Sequence, residues 1–265
     1  MAPLKQDCED PNSRIIIVFF RRKRDKQKQN DQAPQVQEAN EVQEENEVHE
    51  AQKQDPFPHV DEFPHEQIAE QRHWILRYAK KGGVGAEFGV FRGHFSTVIC
   101  RYLQPEKLYL VDPWEKLGER FDWGIGPYTN DNKLTTQQAK EDMLRRTEGY
   151  DMVEVVEDFE DNFIAGLTEK LDFVYLDSGH HYDEVMTTLR LIDSILAPGG
   201  VIIGDDWYSN PKHYSGVCRA VNEFAKEADY EIIAAGYDAQ FCIRRVRDVE
   251  YTHQFGSEAL IHENY

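Results

Sequence analysis

Cysteine is scarce in this sequence of 265 residues, which holds four: Cys8, Cys100, Cys218 and Cys242. They lie far apart and form no CxxC pair. The pattern therefore predicts neither a zinc site built from paired thiolates nor a small scaffold held together by disulfides. We expect reduced thiols, as in a cytoplasmic protein.

A long apolar run is also missing. The only strongly apolar stretch before residue 80 is the six residues 15–20, far short of the roughly 20 residues that span a bilayer. A basic cluster at residues 21–28 follows this stretch, whereas a signal peptide carries its positive charge in front. These features justify no assignment to export, and we expect no integral membrane segment. The cluster is typical of a solvated charge run; the alternatives are contact with nuclear import factors or with anionic lipid.

Positive charge is in deficit, with 30 Lys and Arg against 49 Asp and Glu and a net charge of −19. A groove for nucleic acid needs a basic surface that displaces counterions. The acidic balance therefore argues against a nucleic-acid partner.

The first 55 residues differ in composition from the rest. From residue 25 to residue 54 nearly every residue is Gln, Glu, Asn, Lys or Asp, with isolated valines. Such a segment cannot bury enough apolar surface to offset the entropy of ordering. We predict a disordered low-complexity tail over residues 1–55 and one folded domain over residues 56–265.

Short apolar runs alternate with helical patterns in the remainder of the chain. The spacing predicts a first helix over 67–78. Strands are predicted at 83–88, 108–112, 152–157, 172–177, 201–204, 231–235 and 240–244, and helices between them at 94–103, 136–146, 159–167, 183–196 and 216–227. This alternation indicates an α/β fold with a doubly wound, seven-stranded, mainly parallel sheet. The short turn between the last two strands predicts a terminal antiparallel hairpin.

The first motif with chemical potential is AEFGVFRG at residues 86–93, where the first predicted strand leads into a helix. Gly89 and Gly93 allow a tight turn and a close approach of a ligand to the backbone beside a helix N-terminus. The GxGxxG spacing of dinucleotide-binding folds is absent, which disfavours a nicotinamide-dependent oxidoreductase. Glu87 suits a cationic ligand better than a pyrophosphate. Taken alone, the motif is equally consistent with a purely structural turn.

Acidic residues also end the next two strands. The second motif is LVDPW at residues 110–114. Its Asp112 follows the glycine turn by roughly 20 residues, the position from which a carboxylate binds ribose hydroxyls in nucleotide-binding folds. Asp158 follows the third strand, where it would meet the edge of an adenine. A solvated turn carboxylate is the alternative at either position.

Two further motifs, LDFVYLDSGHHY at residues 171–182 and VIIGDDW at residues 201–207, end on carboxylates. Neighbouring parallel strands would bring Asp177, Asp205 and Asp206 to one edge of the sheet, where open α/β sheets bind ligands. Three carboxylates repel one another unless a cation or a proton lies between them. Their oxygens suit Mg²⁺, Ca²⁺ or Mn²⁺. A helix cap is the alternative for the Asp-Asp pair.

An aromatic-rich segment lies between Trp114 and Tyr150. Three of its aromatic residues either form a lid over the site or pack onto the sheet: Phe121, Trp123 and Tyr128. Four residues from the end of the last motif onward would line the same pocket: Trp207, Tyr208, His213 and Tyr214. Together they favour a small acceptor that bears hydroxyl groups.

At these four motifs the sequence resembles class I S-adenosylmethionine (SAM)-dependent methyltransferases. It is most similar to the branch with macrocin-type and rhamnosyl-type sugar O-methyltransferases, whose signatures are E-F-G-V-x-x-G, V-D-x-[WF], D-x-x-H-x-Y-x-x-V and D-D-[YW]. The resemblance extends from about residue 67 to residue 245. One departure is Gly179, where many relatives carry a second Asp, and this puts the metal shell in question.

The resemblance implies a role for each of these residues. Those that would hold the cofactor are Glu87, Gly89 and Gly93 at its methionine part, Ser96 near its carboxylate, Asp112 at the ribose and Asp158 near the adenine. The carboxylates that would bind Mg²⁺ are Asp177, Asp205 and Asp206. His180 would take a proton from the acceptor hydroxyl, with His181 as the less favoured base because it stands where a helix cap is expected. Relatives in this branch are often oligomeric, and the sequence carries no interface signal that decides whether this chain forms a homo-oligomer.

The sequence therefore predicts an O-methyltransferase, dependent on SAM and Mg²⁺, that acts on a sugar, glycoside, polyol or phenolic hydroxyl. Two alternatives use the same fold. One is a reaction like that of the cephalosporin-hydroxylase branch, which shares the D-x-x-H-x-Y signature. The other is a non-catalytic protein that binds the cofactor.

Overall fold

The computed structural model describes residues 64–210 and 215–249. Several predictions lie outside the described residues. These are the tail over residues 1–55, the first part of the folded domain through residue 63, its end beyond residue 249, and the proposed pocket residues His213 and Tyr214.

Seven strands form one sheet in the order β3-β2-β1-β4-β5-β7-β6. Their bounds are β1 Val84–Phe88, β2 Lys107–Val111, β3 Val153–Val156, β4 Leu171–Leu176, β5 Leu196–Gly204, β6 Tyr230–Ala235 and β7 Phe241–Arg245. The first five strands pair in parallel, and β7 is antiparallel to both β5 and β6. This confirms the predicted doubly wound, mainly parallel sheet with a terminal hairpin.

Six α-helices are described: α1 His65–Gln71, α2 His94–Leu103, α3 Thr136–Thr147, α4 Glu160–Gly166, α5 Tyr182–Ile195 and α6 Ser215–Glu227. The single helix predicted over 67–78 is two elements in the structure: α1 ends at Gln71, and a 3₁₀ helix continues over Arg72–Tyr78. In a 3₁₀ helix side chains three residues apart align, so Arg72 shares a side with the buried Ile75. Within the described part of the chain, no helix combines the length and the apolar character needed to cross a membrane.

Both faces of the sheet are covered by helices. Side chains alternate along β4: Val174 and Leu176 enter one apolar cluster, together with residues of α5 and α6, and Phe173 and Tyr175 enter the other, together with residues of α2 and α3. Strands buried on both faces read as continuous apolar runs, which is why the sequence pattern located them.

The register of the parallel strands brings their carboxyl ends together. Phe88 at the end of β1 pairs with Val111 of β2 and with Leu176 of β4, and Leu176 pairs with Gly204 of β5. The residues that follow these ends therefore lie at one edge of the sheet. The hydrogen bonds between strands continue into these residues. The Asp177 N–H donates to the Phe88 carbonyl at 2.8 Å, and the Asp205 N–H donates to the Leu176 carbonyl at 3.1 Å.

Candidate active site

The glycine loop, residues 89–93, connects β1 to α2 at this edge. Gly89 (φ 83°), Phe91 (φ 53°) and Gly93 (φ 76°) all have left-handed backbone conformations. A Cβ at Gly89 would lie 2.0 Å from the backbone oxygen of Asp177. Glycine is therefore required there, and the loop lies directly against the end of β4.

Glu87 is a buried carboxyl at the base of this loop. Its side chain is 2% exposed, and the Ser96 hydroxyl in α2 donates a hydrogen bond to its Oε2 at 2.5 Å. Burial raises the pKa of Glu87 to about 8, although the Ser96 hydrogen bond opposes the shift. At neutral pH the carboxyl is mostly protonated, and a cation placed beside it would favour its ionised form.

Asp112 is buried at the end of β2 and supports the glycine loop. Its Oδ2 accepts the N–H groups of Val90 at 2.8 Å and Phe91 at 2.9 Å, and its Oδ1 accepts the N–H of Trp114 at 2.9 Å. Burial raises the pKa of Asp112, and these three hydrogen bonds oppose the shift. The structure thus shows a supporting role that the sequence did not indicate. Ribose binding by Asp112 stays a prediction.

Asp158 lies just before α4, at the end of β3. Its carboxylate accepts from the Asn162 amide at 3.0 Å and from the Phe159 N–H at 2.8 Å, and it pairs with Lys116 at 2.9 Å. These contacts, led by that of Asn162, lower the pKa of Asp158 to about 2. Phe159 beside it is 40% exposed and presents an aromatic surface that the sequence reasoning missed.

Asp177, His180 and Asp206 form the acidic cluster. Each offers one ligand atom, and these atoms lie within 4.8 Å of one another, the one such group among residues 64–210 and 215–249. His180 Nε2 contacts Asp206 Oδ2 directly, which raises the pKa of His180 against the opposing effect of burial. Burial, then the charges of Asp205 and Asp206, raise the pKa of Asp177. Such a group of carboxylates is stabilised when a cation enters it.

Asp205, the third predicted metal ligand, does not join the acidic cluster. It is 3% exposed and forms an ion pair with Arg72 of the 3₁₀ helix. Its Oδ1 accepts the Gln240 amide at 2.6 Å, and Gln240 in turn accepts the Tyr175 hydroxyl at 2.9 Å. Asp205 thus belongs to a chain of four buried or half-buried polar side chains that runs from Arg72 to Tyr175. No motif in the sequence pointed to Arg72 or Gln240.

His181 also stays outside the acidic cluster. It is exposed and occupies the N-cap position of α5, although its side chain makes no capping hydrogen bond. At Gly179, a Cβ would lie 3.0 Å from Oε2 of Glu184. A carboxylate of α5 therefore occupies the space beside the position where relatives carry an Asp.

The aromatic segment packs on the glycine loop. The Phe91 ring stacks on Tyr128 with centroids 4.9 Å apart and also contacts Phe121 at 5.3 Å and Trp123 at 5.4 Å. Trp123 is 48% exposed. Burial, and next the charge of Asp177, raise the pKa of Tyr128.

The loop that carries these aromatics is closed at its base. The Thr136 N–H donates to the Glu119 carbonyl at 3.1 Å, and the Thr136 hydroxyl donates to the Gly118 carbonyl at 2.5 Å. Beyond β5, the Trp207 ring packs against Phe241 with centroids 5.9 Å apart. Burial and the charge of Asp206 raise the pKa of Tyr208.

Residues 86–207 match the sequence model of a family described as "Methyltransferase domain". The match begins in β1, ends just beyond β5 and contains all four motifs. The match covers less than half of the chain and, with the sheet described above, supports a class I SAM-dependent methyltransferase. No curated protein sequence matches the chain.

Solved structures of low sequence identity resemble the chain. One is an O-methyltransferase from Streptomyces achromogenes involved in tomaymycin synthesis, in complex with SAM; it is 17% identical, with 68% of this chain and 77% of that chain covered and a TM-score of 0.44. Another is the precorrin-6y C5,15-methyltransferase of Geobacter metallireducens, 14% identical, with 63% and 71% covered and a TM-score of 0.46. A third is an rRNA methylase from Streptococcus thermophilus, 13% identical, with 65% and 92% covered and a TM-score of 0.45.

Proposed function

We propose that the chain is an O-methyltransferase that uses SAM and a divalent cation, Mg²⁺ in the first instance, to methylate a hydroxyl group of a small molecule such as a sugar, glycoside, polyol or phenol. One observation carries this proposal. The ligand atoms of Asp177, His180 and Asp206 lie within 4.8 Å of one another, and the backbone of Asp177 contacts the glycine loop. A cation and a base would therefore stand beside the methyl donor.

The residues at the glycine loop fit SAM. SAM supplies a methyl group on a positively charged sulfur, and Glu87 is a buried carboxyl that gains from a neighbouring cation. Gly89 and Gly93 allow the tight left-handed turn that would present the loop backbone to the methionine part, with Ser96 near its carboxylate. The remaining cofactor contacts proposed are Asp112 with the ribose and Asp158 with the adenine.

The acidic cluster fits a divalent cation. Asp177 and Asp206 provide the carboxylate oxygens that Mg²⁺ prefers, whereas Arg72 already neutralises Asp205. A cation held there would lower the pKa of an acceptor hydroxyl. Because Mg²⁺ prefers oxygen ligands, whereas imidazole suits zinc, copper, iron and nickel, we assign His180 to the proton rather than to the cation.

His180 takes the proton of the acceptor hydroxyl in this proposal. Asp206 fixes the imidazole through its Oδ2 and favours the protonated form that results, so the base is oriented before the acceptor binds. Asp177 positions the acceptor side of the site against the glycine loop. The remaining rate enhancement comes from alignment of the acceptor oxygen with the methyl group.

The acidic chain and the acceptor-side aromatics favour a small acceptor over nucleic acid. The test is calorimetric titration of the full chain with SAM and S-adenosylhomocysteine (SAH), with and without Mg²⁺, followed by assay of SAH release with sugars, glycosides, polyols and catechols. We expect micromolar binding of both nucleosides and turnover with a hydroxylated acceptor that stops in the His180→Ala variant. Binding without any turnover would favour the non-catalytic alternative, and no binding to the folded chain would favour the hydroxylase-like one.

A further inference from the structure

Arg92, inside the glycine loop, is a fully buried charge. Its side chain is 0% exposed, and its Nε donates to Oδ2 of Asp142 at 2.7 Å, also at 0% exposure. The residue stands between Phe91 and Gly93, both of which have positive φ. Burying an ion pair gains little stability by itself, so this pair calls for another explanation.

Asp142 gathers several guanidinium groups around one carboxylate. Besides Arg92, it contacts Arg145 directly and Arg146 Nε at 3.0 Å. Arg146 also pairs with Glu66 of α1 at 2.7 Å. The carboxylate on α3 is thereby fixed by three cations and cannot easily turn away from the loop.

Helix α3 touches the loop at the next residue as well. A Cβ at Gly93 would lie 2.9 Å from Cγ of Met143. On the opposite side, the Trp114 indole N–H donates to the Phe91 carbonyl at 2.9 Å. Because left-handed geometry strains a residue such as Phe91, the loop needs these contacts to keep its shape.

We propose that Asp142 is a positioning residue for the cofactor: through Arg92 it holds the glycine loop in the conformation that admits the methionine part of SAM. This inference rests on the proposed function, because it assumes that the loop contacts the methionine part. It makes binding of the amino-acid end, and not of the adenosine end, depend on the ion pair between Arg92 of the loop and Asp142 of α3.

The test compares two ligands on the full chain by calorimetry. SAH carries the amino-acid end, whereas 5′-methylthioadenosine keeps the adenosine and lacks that end. For Asp142→Asn we expect SAH affinity to fall by about tenfold or more, and 5′-methylthioadenosine affinity to change by less than about twofold. Arg190→Ala, which removes an exposed pair with Glu227, is the control and should change neither affinity.

A double variant, Arg92→Met with Asp142→Leu, separates positioning from stability. It leaves no unpaired charge of this pair buried, and such replacements often keep a protein folded. Because Asp142→Leu also takes a carboxylate partner from Arg145 and Arg146, we expect the variant to melt somewhat below the wild-type temperature but to stay folded. It should bind SAH weakly while binding 5′-methylthioadenosine normally. Wild-type affinity for SAH in this variant, or an equal loss for both ligands, would overturn the inference. A wild-type chain that binds neither ligand would instead overturn the proposed function.

Discussion

Arg72 and Asp205 form an ion pair at the carboxyl edge of the sheet, with side chains 19% and 3% exposed. Gln240 adds a hydrogen bond to the same carboxylate at 2.6 Å. The charge of Asp205 is therefore balanced within the protein, whereas Asp177 and Asp206 face each other and His180. The three carboxylates that the sequence assigned to one metal ion fall into two environments.

We predict that replacing Asp177 or Asp206 weakens cation binding more than replacing Asp205 does. Asp177→Asn and Asp206→Asn should each weaken Mn²⁺ binding by about tenfold or more, because each removes a charge from the acidic cluster. Asp205→Asn should change it by less than about threefold, because Asp205 gives no ligand atom to the cluster and Arg72 offsets much of the charge that still acts on Asp177. Electron paramagnetic resonance of Mn²⁺, with Mg²⁺ as competitor, measures this without turnover. A loss for Asp205→Asn as large as for Asp206→Asn would mean that Asp205 leaves Arg72 to bind the ion.

The raised pKa of Glu87 predicts a stability that depends on pH. Folding raises this pKa from its ordinary 4.5 to about 8, so the folded state favours the protonated form. The stabilisation is fully present below the unfolded pKa and is lost as the pH rises through the folded one. Between about pH 5 and pH 8 the free energy of unfolding should fall, relative to Glu87→Gln, by up to about 1.4 kcal/mol per pH unit. Urea denaturation of both proteins at several pH values measures the difference, and a constant difference would contradict it.

The same carboxyl predicts a proton release when SAM binds. The sulfonium and ammonium groups of SAM favour ionised Glu87, so at neutral pH its proton should leave for the buffer. Calorimetry in buffers of different ionisation enthalpy counts the protons released. We expect a larger release for SAM than for SAH, which lacks the sulfonium charge, and no such difference in Glu87→Gln. Equal release for the two ligands in the wild-type chain would show that Glu87 does not sense the sulfonium.

The fold was predictable from the sequence because its signal is local. Strands such as Leu171–Leu176 lie between two helical layers, so nearly every residue in them is apolar, and the alternation with helices is visible along the chain. The sequence did not predict the first residues of β5, because their local pattern is typical of a turn. Pro198, Gly199 and Gly200 read as a turn, yet the strand begins at Leu196, which pairs with Leu171 across an irregularity.

The partners of the site residues were less predictable because they depend on tertiary placement. The acids at strand ends could be assigned to one edge from topology alone. Arg72 reaches Asp205 only because α1 continues as a 3₁₀ helix, and Asp142 meets Arg92 from a helix 50 residues away in sequence. Neither contact leaves a spacing pattern that sequence reasoning can detect.

Gly89 offers a test of whether close packing or backbone conformation makes glycine necessary in the loop. Gly89 and Gly149 have nearly the same φ, 83° and 88°, but a Cβ at Gly149 would meet nothing within 4 Å, whereas one at Gly89 would lie 2.0 Å from the Asp177 oxygen. Gly149→Ala should therefore cost only the strain of the left-handed backbone, about 1–2 kcal/mol. Gly89→Ala should cost about 1–3 kcal/mol more, because the end of β4 must move.

Gly89→Ala should also weaken Mn²⁺ binding, because the displaced Asp177 belongs to the acidic cluster, while Gly149→Ala should leave it unchanged. Urea denaturation and Mn²⁺ titration of the two variants give both quantities. Equal stability losses would show that the loop yields without disturbing β4. A large loss of stability with unchanged Mn²⁺ binding would show that the cluster does not depend on the contact between Gly89 and Asp177.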